Sequence, residues 1–414
     1  MTDLGINRQD RIEEKTTGQN PAHIDHCPVC FSMDLNRLVF IDSVPICSNM
    51  LLPTREAALK APVGDIDLCF CKQCSHVFNR AFDPQKMSYN QSYDNSLHFS
   101  SVFETYARSL AEELVDKHHM FDKDIIEIGC GKGDFLRLLC EMGSNRGVGF
   151  DPSFESERFS GLIGEKFRVI QDYYNPSYSH IKADLVCCRH VLEHIQNPVD
   201  FLKSIRLSVE QHKTPIFFFE VPNVMFTLKN LGIWDLIYEH CGYFSQNSLV
   251  WAFKNSGCVI LSSAFRYGGQ FLTIEATPST GNQDPNKVDS CNSKEILAYS
   301  VAFPEVYTRT VDQWRKRLNR MESENKSVVL WGAGSKGITF LNILNSQSML
   351  DCIVDINPHK QGKYIPRTGQ KVVPPDFLKT CRPDSILIMN PLYVTEIKST
   401  LTTLGVRAEI ISVN

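Results

Sequence analysis

The chain has 414 residues, of which 43% are hydrophobic and 22% are charged, and this ordinary globular composition excludes disordered and fibrous proteins. Its 43 basic and 47 acidic residues give a net charge of −4, so we expect no binding to nucleic acid or anionic membranes through an overall basic field. A chain of this length predicts two or three domains.

Cysteine is unusually frequent, with 15 residues in the chain. Residues 1–20 are polar and lack the apolar stretch of a signal peptide, and the best apolar run, residues 215–221, is far too short to span a membrane. We therefore expect a reducing, cytoplasmic setting, in which cysteines are buried, bind metal or act in catalysis rather than form disulfides. Residues 1–24 are predicted to be a flexible tail.

Residues 25–85 show few periodic elements but contain two C-x2-C pairs, Cys27/Cys30 and Cys71/Cys74, with 40 residues between them. Such turns let thiolates converge on one tetrahedral zinc ion, so we predict a structural zinc ribbon. Four unrelated buried thiols and a redox pair are the alternatives. A ribbon that binds nucleic acid is disfavoured, because the segment lacks a dense Lys/Arg stripe. Nearby side chains that could replace a ligand are His23, His26, Cys69 and His76.

From about residue 100 the hydrophobic pattern alternates between helices and strands, which predicts an α/β fold with a parallel, doubly wound sheet. We predict strands at 124–128, 147–150, 167–171, 184–188 and 215–220, a closing antiparallel pair at 259–264 and 270–275, and helices at 98–120, 135–142 and 200–209. This core is assigned to residues 86–276. A polar linker (277–292) and a helix (294–325) follow, so that residues 277–325 separate the core from a smaller α/β unit at 326–414.

The first predicted core strand, 124–128, runs directly into a glycine-rich turn, residues 129–133 (GCGKG), and then into a helix. Glycines at this place allow a sharp turn and the close approach of a ligand to the backbone. Asp151 ends the next strand, 22 positions after Gly129, where it is placed to bind a ribose diol. Asp172 ends the third strand, where an adenine edge would lie.

The spacing E-x-G-x-G-x-G resembles motif I of the class I S-adenosylmethionine-dependent methyltransferases; a tight turn without a ligand is the alternative. Residues 187–198 (CCRHVLEHIQNP) resemble the segment that passes under the methionine half of the cofactor in those enzymes. Helix capping is an alternative role for both His190 and His194, and it is the favoured role for His194. By this resemblance the cofactor-binding residues are Glu127, Gly129, Gly131, Gly133, Asp151, Asp172 and His190.

The sequence EVPN at 220–223 ends the fifth strand, and YEHCGYF at 238–244 follows. With the cysteine pairs, both α/β units and the HVLEH segment, this order resembles the sugar-nucleotide C-methyltransferase family over residues 25–414. The resemblance implies a zinc-binding domain, a class I methyltransferase core and a C-terminal Rossmann-like domain. It also implies methylation of the carbon next to the ketone of a nucleotide-linked 4-keto-deoxyhexose, with C3 favoured over C5, in deoxysugar biosynthesis.

Methylation of such a carbon requires a base that removes the proton next to the ketone, and histidine suits this task near neutral pH. By the resemblance, His240 is the base and Glu239 its partner or substitute. Ile237 stands where the family often has a tyrosine, so a role for tyrosine in stabilising the oxyanion would pass to Tyr238 or Tyr243. Because neighbours on a regular helix diverge, a joint role for Glu239 and His240 requires an irregular backbone. An ordinary packed segment is the alternative.

Residues 327–337 (SVVLWGAGSKG) contain a full G-x-G-x-x-G turn, and Asp355 follows 21 positions after Gly334. Alone, this pattern predicts an NAD-dependent oxidoreductase. About 90 residues are too few for both halves of a dinucleotide domain, and the resembling family uses this unit to complete its substrate cleft. A turn without a ligand is the alternative. The predicted substrate-binding residues are Asn223, Gly334, Ser335, Lys336, Asn390 and Tyr393.

Residues 89–98 lie where the resembling family places side chains that cover the bound cofactor, which makes Tyr93 and His98 candidates; an aromatic-packed linker is the alternative. We expect a small-molecule nucleotide-sugar partner, no nucleic acid or membrane partner, and a monomer or weak homodimer. A methyltransferase acting on another small acceptor, and a zinc-ribbon binding protein with a vestigial enzyme fold, are the remaining alternatives.

Overall fold

A computed structural model describes residues 24–87, 96–155, 166–209, 214–230, 232–279, 293–345, 350 and 352–413. The predictions for the tail at 1–23, including His23, for Tyr93 and for most of the linker, 280–292, lie outside these residues.

The strands are β1 (Leu35–Pro45), β2 (Val63–Cys71), β3 (Val77–Asn79), β4 (Asp124–Ile128), β5 (Arg146–Phe150), β6 (Phe167–Ile170), β7 (Leu185–Arg189), β8 (Ile216–Pro222), β9 (Gly242–Tyr243), β10 (Cys258–Arg266), β11 (Phe271–Pro278), β12 (Val328–Trp331), β13 (Cys352–Val354), β14 (Lys371–Val373), β15 (Ser385–Ile388) and β16 (Glu409–Ser412). The α-helices are α1 (Arg55–Leu59), α2 (Ser101–Lys117), α3 (Asp134–Gly143), α4 (Pro198–Val209), α5 (Val224–Lys229), α6 (Gln246–Asn255), α7 (Ser293–Ser323), α8 (Ser335–Leu344), α9 (Leu378–Cys381) and α10 (Val394–Leu404). None of the helices in the described ranges has both the length and the apolar character needed to cross a membrane.

The central sheet has the strand order β10-β11-β8-β7-β4-β5-β6. Strands β4 to β8 run parallel, whereas β11 and β10 pair antiparallel at one edge. This arrangement confirms the predicted class I methyltransferase fold with its closing antiparallel pair. Because the strand order reverses between β4 and β7, a crevice is expected outside their carboxyl ends.

The N-terminal domain contains more regular structure than the sequence predicts. The long strands β1 and β2 pair from Leu35 with Cys71 to Pro45 with Val63, and the sheet continues as β1-β2-β3-β9. Strand β9 comes from the methyltransferase part of the chain, between α5 and α6. The preceding side chains Trp234 and Tyr238 are fully buried in the core shared with β1 and β2. Residues 233–243 of the predicted 86–276 domain therefore pack with the N-terminal domain.

The C-terminal sheet is parallel throughout, with the order β14-β13-β12-β15-β16. Helix α7, predicted at 294–325, connects it to the central core, and Trp314 of α7 packs against Phe340 of α8 in the core that also contains Leu38 of β1. Leu52 and Tyr364 exchange two backbone hydrogen bonds of 3.0 and 2.8 Å. The N-terminal and C-terminal domains thus contact each other directly.

Candidate functional site

A cavity of about 520 Å³ lies at the carboxyl ends of the central strands. The glycine turn after β4 and the glycine turn after β12 both line it, and the N-terminal domain contributes Asn49. The two glycine motifs that the sequence analysis identified separately therefore face one shared space, which is the candidate active site.

The turn after β4 has a backbone that favours glycine. Gly129 and Gly131 have φ angles of 68° and 56° and line the cavity. A Cβ atom on Gly129 would come within 2.1 Å of Cγ2 of Val191, whereas Gly131 faces open space. Gly133, at φ 83°, is the N-cap of α3 and donates its N–H to the Cys130 carbonyl at 2.8 Å. Gly133 is absent from the cavity lining, so it shapes the turn.

Three acidic side chains surround this turn. Asp151 accepts the N–H of Gly131 at 2.8 Å, which fixes its carboxylate beside the glycines. Asp172 also lines the cavity and accepts the Tyr178 hydroxyl at 2.6 Å. Glu127 is 3% exposed, and its Oε2 has no hydrogen-bond partner among the described residues. Burial raises the pKa of Glu127 to about 8.

His190 follows β7 in a left-handed conformation, with φ 55°, and lines the cavity. Its Nε2 lies 3.0 Å from Oε1 of Glu220, and its Nδ1 lies 3.7 Å from Oε1 of Glu193. Burial alone would lower the pKa of His190, but these carboxylates raise it to about 9. Arg189 also contacts Glu220, with Nη2 at 2.9 Å. Arg189 and Glu220 were not predicted as site residues, although Arg189 immediately precedes His190 and Glu220 lies near the end of β8.

His240 and His194 form a histidine pair on the cavity wall, with ring centroids 4.9 Å apart. His194 donates its Nδ1–H to the Glu239 carbonyl at 2.9 Å, because a carbonyl only accepts. Burial lowers the pKa of His240 to about 3, so His240 is neutral at neutral pH. Ligand atoms of Glu193, His194 and His240 lie within 4.8 Å of one another, a spacing that would also suit a metal ion.

The carboxylate beside His240 is therefore Glu193, not Glu239 as the sequence analysis expects. A turn at Tyr238 and Glu239 supplies the irregular backbone that a joint role for Glu239 and His240 would require. The Glu239 side chain nevertheless lies on the N-terminal domain, where it accepts the Asn49 N–H at 3.5 Å. Glu239 is fully buried and absent from the cavity lining. The sequence feature that could have identified Glu193 is its position between the two histidines of HVLEH, residues 190–194.

Neither tyrosine proposed to stabilise an oxyanion lines the cavity, and this expectation is corrected. The Tyr238 hydroxyl accepts the Asp83 N–H at 2.8 Å, in the N-terminal domain. The Tyr243 hydroxyl bonds to both the N–H and the carbonyl of Ile237, each at 3.0 Å. The Tyr243 ring packs 5.7 Å from that of His240, so Tyr243 supports the histidine instead.

The predicted substrate-binding residues divide into two groups. Asn223 does not line the cavity, because its side chain accepts the Met225 N–H at 3.1 Å and donates to the Gly269 carbonyl at 2.8 Å. The others do line it: Gly334, Ser335, Lys336, Asn390 and Tyr393. His98, whose Nδ1 bonds to Glu104, lines it too.

Gln270, which the sequence analysis missed, connects these residues to the methyltransferase core. Its side-chain amide exchanges two 3.0 Å hydrogen bonds with that of Asn390. Lys336 donates to Oε1 of Gln270 at 2.9 Å and lies 3.1 Å from Oδ2 of Asp235. Lys336 is therefore neutralised at the domain junction.

The four cysteines of the two pairs come together away from the cavity. The Sγ atoms of Cys27 and Cys74 are 3.5 Å apart, those of Cys30 and Cys71 are 3.4 Å apart, and all four lie within 4.8 Å. Four thiolates on one tetrahedral zinc ion have sulfur atoms about 3.8 Å apart, so the group fits zinc. Among the described alternatives, His26, Cys69 and His76 do not join it.

The buried carboxyl of Glu239 predicts a pH-dependent stability. Burial raises its pKa to about 7, so the folded chain holds this proton more tightly than the unfolded chain. The protonated Glu239 contributes fully to the free energy of unfolding below about pH 4.5. This contribution is lost as pH rises to about 7, and the loss is at most about 3 kcal/mol. We expect Glu239→Gln to raise the melting temperature relative to the parent protein increasingly between pH 5 and pH 8.

Thermal unfolding at several pH values measures this difference. The exposed Glu56→Gln variant is the control and should show no such trend. A Glu239→Gln variant whose melting temperature follows that of the parent protein at every pH would contradict the assignment.

The sequence matches known methyltransferases over most of the residues that line the cavity. Residues 98–263 match the family model described as a methyltransferase domain, and residues 266–409 match that of the C-methyltransferase C-terminal domain. The chain is 25% identical over 400 residues to C-methyltransferase NovU from Streptomyces niveus, covering 90% of this chain and 91% of that protein.

Shorter likenesses cover one part of the chain. It is 30% identical over 96 residues to the tRNA U34 carboxymethyltransferase of Campylobacter fetus subsp. fetus, covering 22% of this chain and 34% of that protein. A putative S-adenosylmethionine-dependent methyltransferase from Listeria monocytogenes has a crystal structure with a TM-score of 0.32 and 16% identity, covering 41% of this chain and 99% of that one.

The two adjacent family matches cover the central core and the C-terminal sheet, which together enclose the cavity. The glycine turn after β4 stands at the place where class I folds bind their cofactor. The chain is therefore an S-adenosylmethionine-dependent C-methyltransferase.

Proposed function

We propose that this enzyme methylates the carbon next to the ketone of a nucleotide-linked 4-keto-deoxyhexose, at C3 or C5, in deoxysugar biosynthesis. The observation that carries the proposal is the position of His240, which lies beside the buried carboxylate of Glu193 in the cavity that both glycine turns share. A base is needed for transfer to carbon, because a C–H group is not nucleophilic until its proton is removed.

The residues around the first glycine turn fit the cofactor. Gly131 leaves open space, and Glu127 has a buried oxygen for which the described residues provide no hydrogen-bond partner. We propose that Glu127, Gly129, Gly131, Asp151 and His190 hold S-adenosylmethionine, with Asp172 at the adenine side. When bound, the cofactor supplies an electrophilic methyl group on a sulfonium.

In the proposed reaction, the neutral imidazole of His240 takes the proton next to the ketone, and the electrons of the broken C–H bond form an enolate. The enolate carbon then bonds to the methyl group, while the electrons of the old sulfur–methyl bond stay on sulfur. The carboxylate of Glu193 stabilises the imidazolium that His240 becomes, and it partly opposes the burial and the nearby His194 that lower the pKa of His240. Glu239 and Tyr243 position this segment rather than react.

Two alternatives predict different chemistry. A methyltransferase acting on another small acceptor would not need the pair formed by His240 and Glu193. An NAD-dependent oxidoreductase would need both halves of a dinucleotide domain, whereas the C-terminal sheet has five parallel strands in a single unit.

Exchange of the substrate proton with solvent deuterium tests the base. With a nucleotide-linked 4-keto-deoxyhexose and S-adenosylhomocysteine, we expect the parent protein to exchange the proton next to the ketone. His240→Ala should lower this rate by roughly 10²- to 10⁴-fold, because the base is lost. Glu193→Gln should lower it less, and Glu239→Gln should retain exchange. The signal is read by NMR.

His180→Ala is the matched control, since His180 is exposed and does not line the cavity. Parent-like exchange in both His240→Ala and Glu193→Gln would exclude this pair as the acid–base group. The position of the methyl group in the product distinguishes C3 from C5.

Binding of S-adenosylhomocysteine tests the cofactor turn. Gly129→Ala places a Cβ atom 2.1 Å from Val191 and forces a side chain into φ 68°, so we expect affinity to fall by about tenfold or more. Gly362→Ala, at φ 82° with open space around it, is the control for backbone strain alone. Calorimetry gives both affinities. Tight NAD binding by a protein that does not bind S-adenosylhomocysteine would contradict the proposal.

We further propose that Cys27, Cys30, Cys71 and Cys74 bind one structural zinc ion. Hydrogen bonds from the other three thiols, led by that from Cys27, lower the pKa of Cys71. Four thiolates leave no position for a reacting water, so this ion would stabilise the N-terminal domain and take no part in methyl transfer.

Metal analysis tests this site. The purified parent protein should contain one zinc ion per chain. Cys71→Ser should lose it and lower the melting temperature, because zinc binding is coupled to folding. Cys47→Ser, in the same domain but outside the cluster, should keep it. A chain that folds with no metal would refute the zinc proposal, and a second ion would indicate binding by Glu193, His194 and His240.

A further inference from the structure

Glu193, His194 and His240 form a second cluster of possible metal ligands within the described ranges, apart from the four cysteines. One ligand atom of each side chain lies within 4.8 Å of the other two, and all three side chains line the cavity. The cluster joins two segments that are distant in the chain, residues 190–194 and 238–240. Unlike the cysteine cluster, it opens directly on the candidate active site.

His194 is oriented as metal-binding histidines usually are. Its Nδ1–H donates to the Glu239 carbonyl, and the two atoms are 2.9 Å apart. A neutral imidazole has one N–H group, so this bond leaves the lone pair on Nε2. Histidines that bind a metal commonly hold their other ring nitrogen against a carbonyl or a carboxylate in this way, which fixes both the tautomer and the direction of the ring.

Glu193 and His240 each have a buried polar atom that the protein leaves unsatisfied. Glu193 is 2% exposed, and its Oε1 lies 3.7 Å from Nδ1 of His190. Its other oxygen, Oε2, has no hydrogen-bond partner among the described residues, and the same holds for Nδ1 of His240. Unsatisfied buried polar atoms are unfavourable, so a ligand that pairs with them gains stability.

Backbone contacts hold the two segments together without an ion. The Cys241 thiol donates to the Glu193 carbonyl, with Sγ 3.5 Å from the oxygen. Strand β9, which begins at Gly242, pairs with β3 of the N-terminal sheet. Nitrogen and oxygen ligands of a tetrahedral zinc ion are about 3.4 Å apart, so side-chain rotations without backbone movement would bring the three ligand atoms onto one ion.

The ligand set selects the class of ion. Two imidazoles and one carboxylate suit divalent transition metal ions such as zinc, whereas magnesium and calcium prefer sites made of oxygen atoms. Three protein ligands leave one tetrahedral position open. Because all three side chains line the cavity, this position is open to the cavity.

We propose that Glu193, His194 and His240 form an inhibitory site for a divalent transition metal ion such as zinc. The ion takes the imidazole lone pair with which His240 removes the substrate proton, so metal binding and proton removal exclude each other. The metal site rests on the geometry of the three side chains. Its inhibitory effect rests on the proposed function, in which His240 is the base.

Titration of the full chain as purified tests the site, with Co²⁺ as the probe and its visible absorption as the signal. We expect one weakly held ion per chain without the charge-transfer absorption of thiolate ligands. Glu193→Gln, His194→Gln and His240→Gln should each weaken it by more than the roughly 10- to 100-fold that loss of a ligand's hydrogen-bond partner costs. Glu193→Asp, which keeps a carboxylate, should bind more tightly than Glu193→Gln.

Two controls accompany the titration. His180→Gln is the matched variant, because His180 is exposed and does not line the cavity, and it should bind Co²⁺ as the parent protein does. The circular dichroism spectrum of each variant should match that of the parent protein, which shows that lost binding is not lost folding. Absence of this ion in the parent protein, or parent-like affinity in all three ligand variants, would overturn the inference.

Exchange of the substrate proton with solvent deuterium measures the inhibition. Zn²⁺ that fills the site should lower exchange in the parent protein by roughly 10²- to 10⁴-fold, as loss of the base does. A chelator should restore exchange, and Mg²⁺ at the same concentration should not lower it. Full exchange in protein that holds the ion would overturn the inhibitory role, and with it His240 as the base. If the metal-free protein exchanges no proton but the three variants lose Co²⁺, the metal site stands and the proposed acceptor falls.

Discussion

The pairing of β9 with β3 is the contact on which the candidate active site depends. Tyr243 pairs with Val77 and Gly242 with Phe78, which anchors the chain two residues after His240 in the N-terminal sheet. The turn before β9 then places Glu239 against the N-terminal domain and His240 against His194. The N-terminal domain is therefore part of the scaffold of the base, although it contributes little to the cavity wall itself.

Two histidines on this wall have their pKa values moved in opposite directions by their surroundings. His190 has two carboxylate neighbours and becomes a cation, with a pKa of about 9. His240 is dominated by burial and stays neutral, with a pKa of about 3. Separated pKa values within one site are the usual basis for giving acid and base roles to chemically identical side chains. The difference arises because Glu193 and Glu220 both approach His190, whereas burial and the neighbouring His194 dominate at His240.

The sequence predicted the elements whose signals are local. Buried runs and the two glycine turns located the strands around the cavity, and the spacing of Asp151 placed it beside the first turn. The predictions that failed concern where individual side chains point: Glu193 rather than Glu239 accompanies His240, and Asn223 caps a helix instead of lining the cavity. These choices depend on long-range contacts such as β3 with β9, which no local periodicity encodes. The two cysteine pairs come together as predicted, because a C-x2-C turn by itself brings its two thiols to one side.

The contact between Leu52 and Tyr364 has a consequence for how the chain folds during synthesis. The ribosome makes about 300 residues between these partners, which takes roughly 15 to 60 s at ~5–20 residues per second. The hairpin of β1 and β2 has neither β9 nor α7 to cover its apolar face until the ribosome has made residues 242–323, and exposed strands of this kind promote aggregation. Early capture of a metal ion by the four cysteines would hold the hairpin in register until its distant partners emerge.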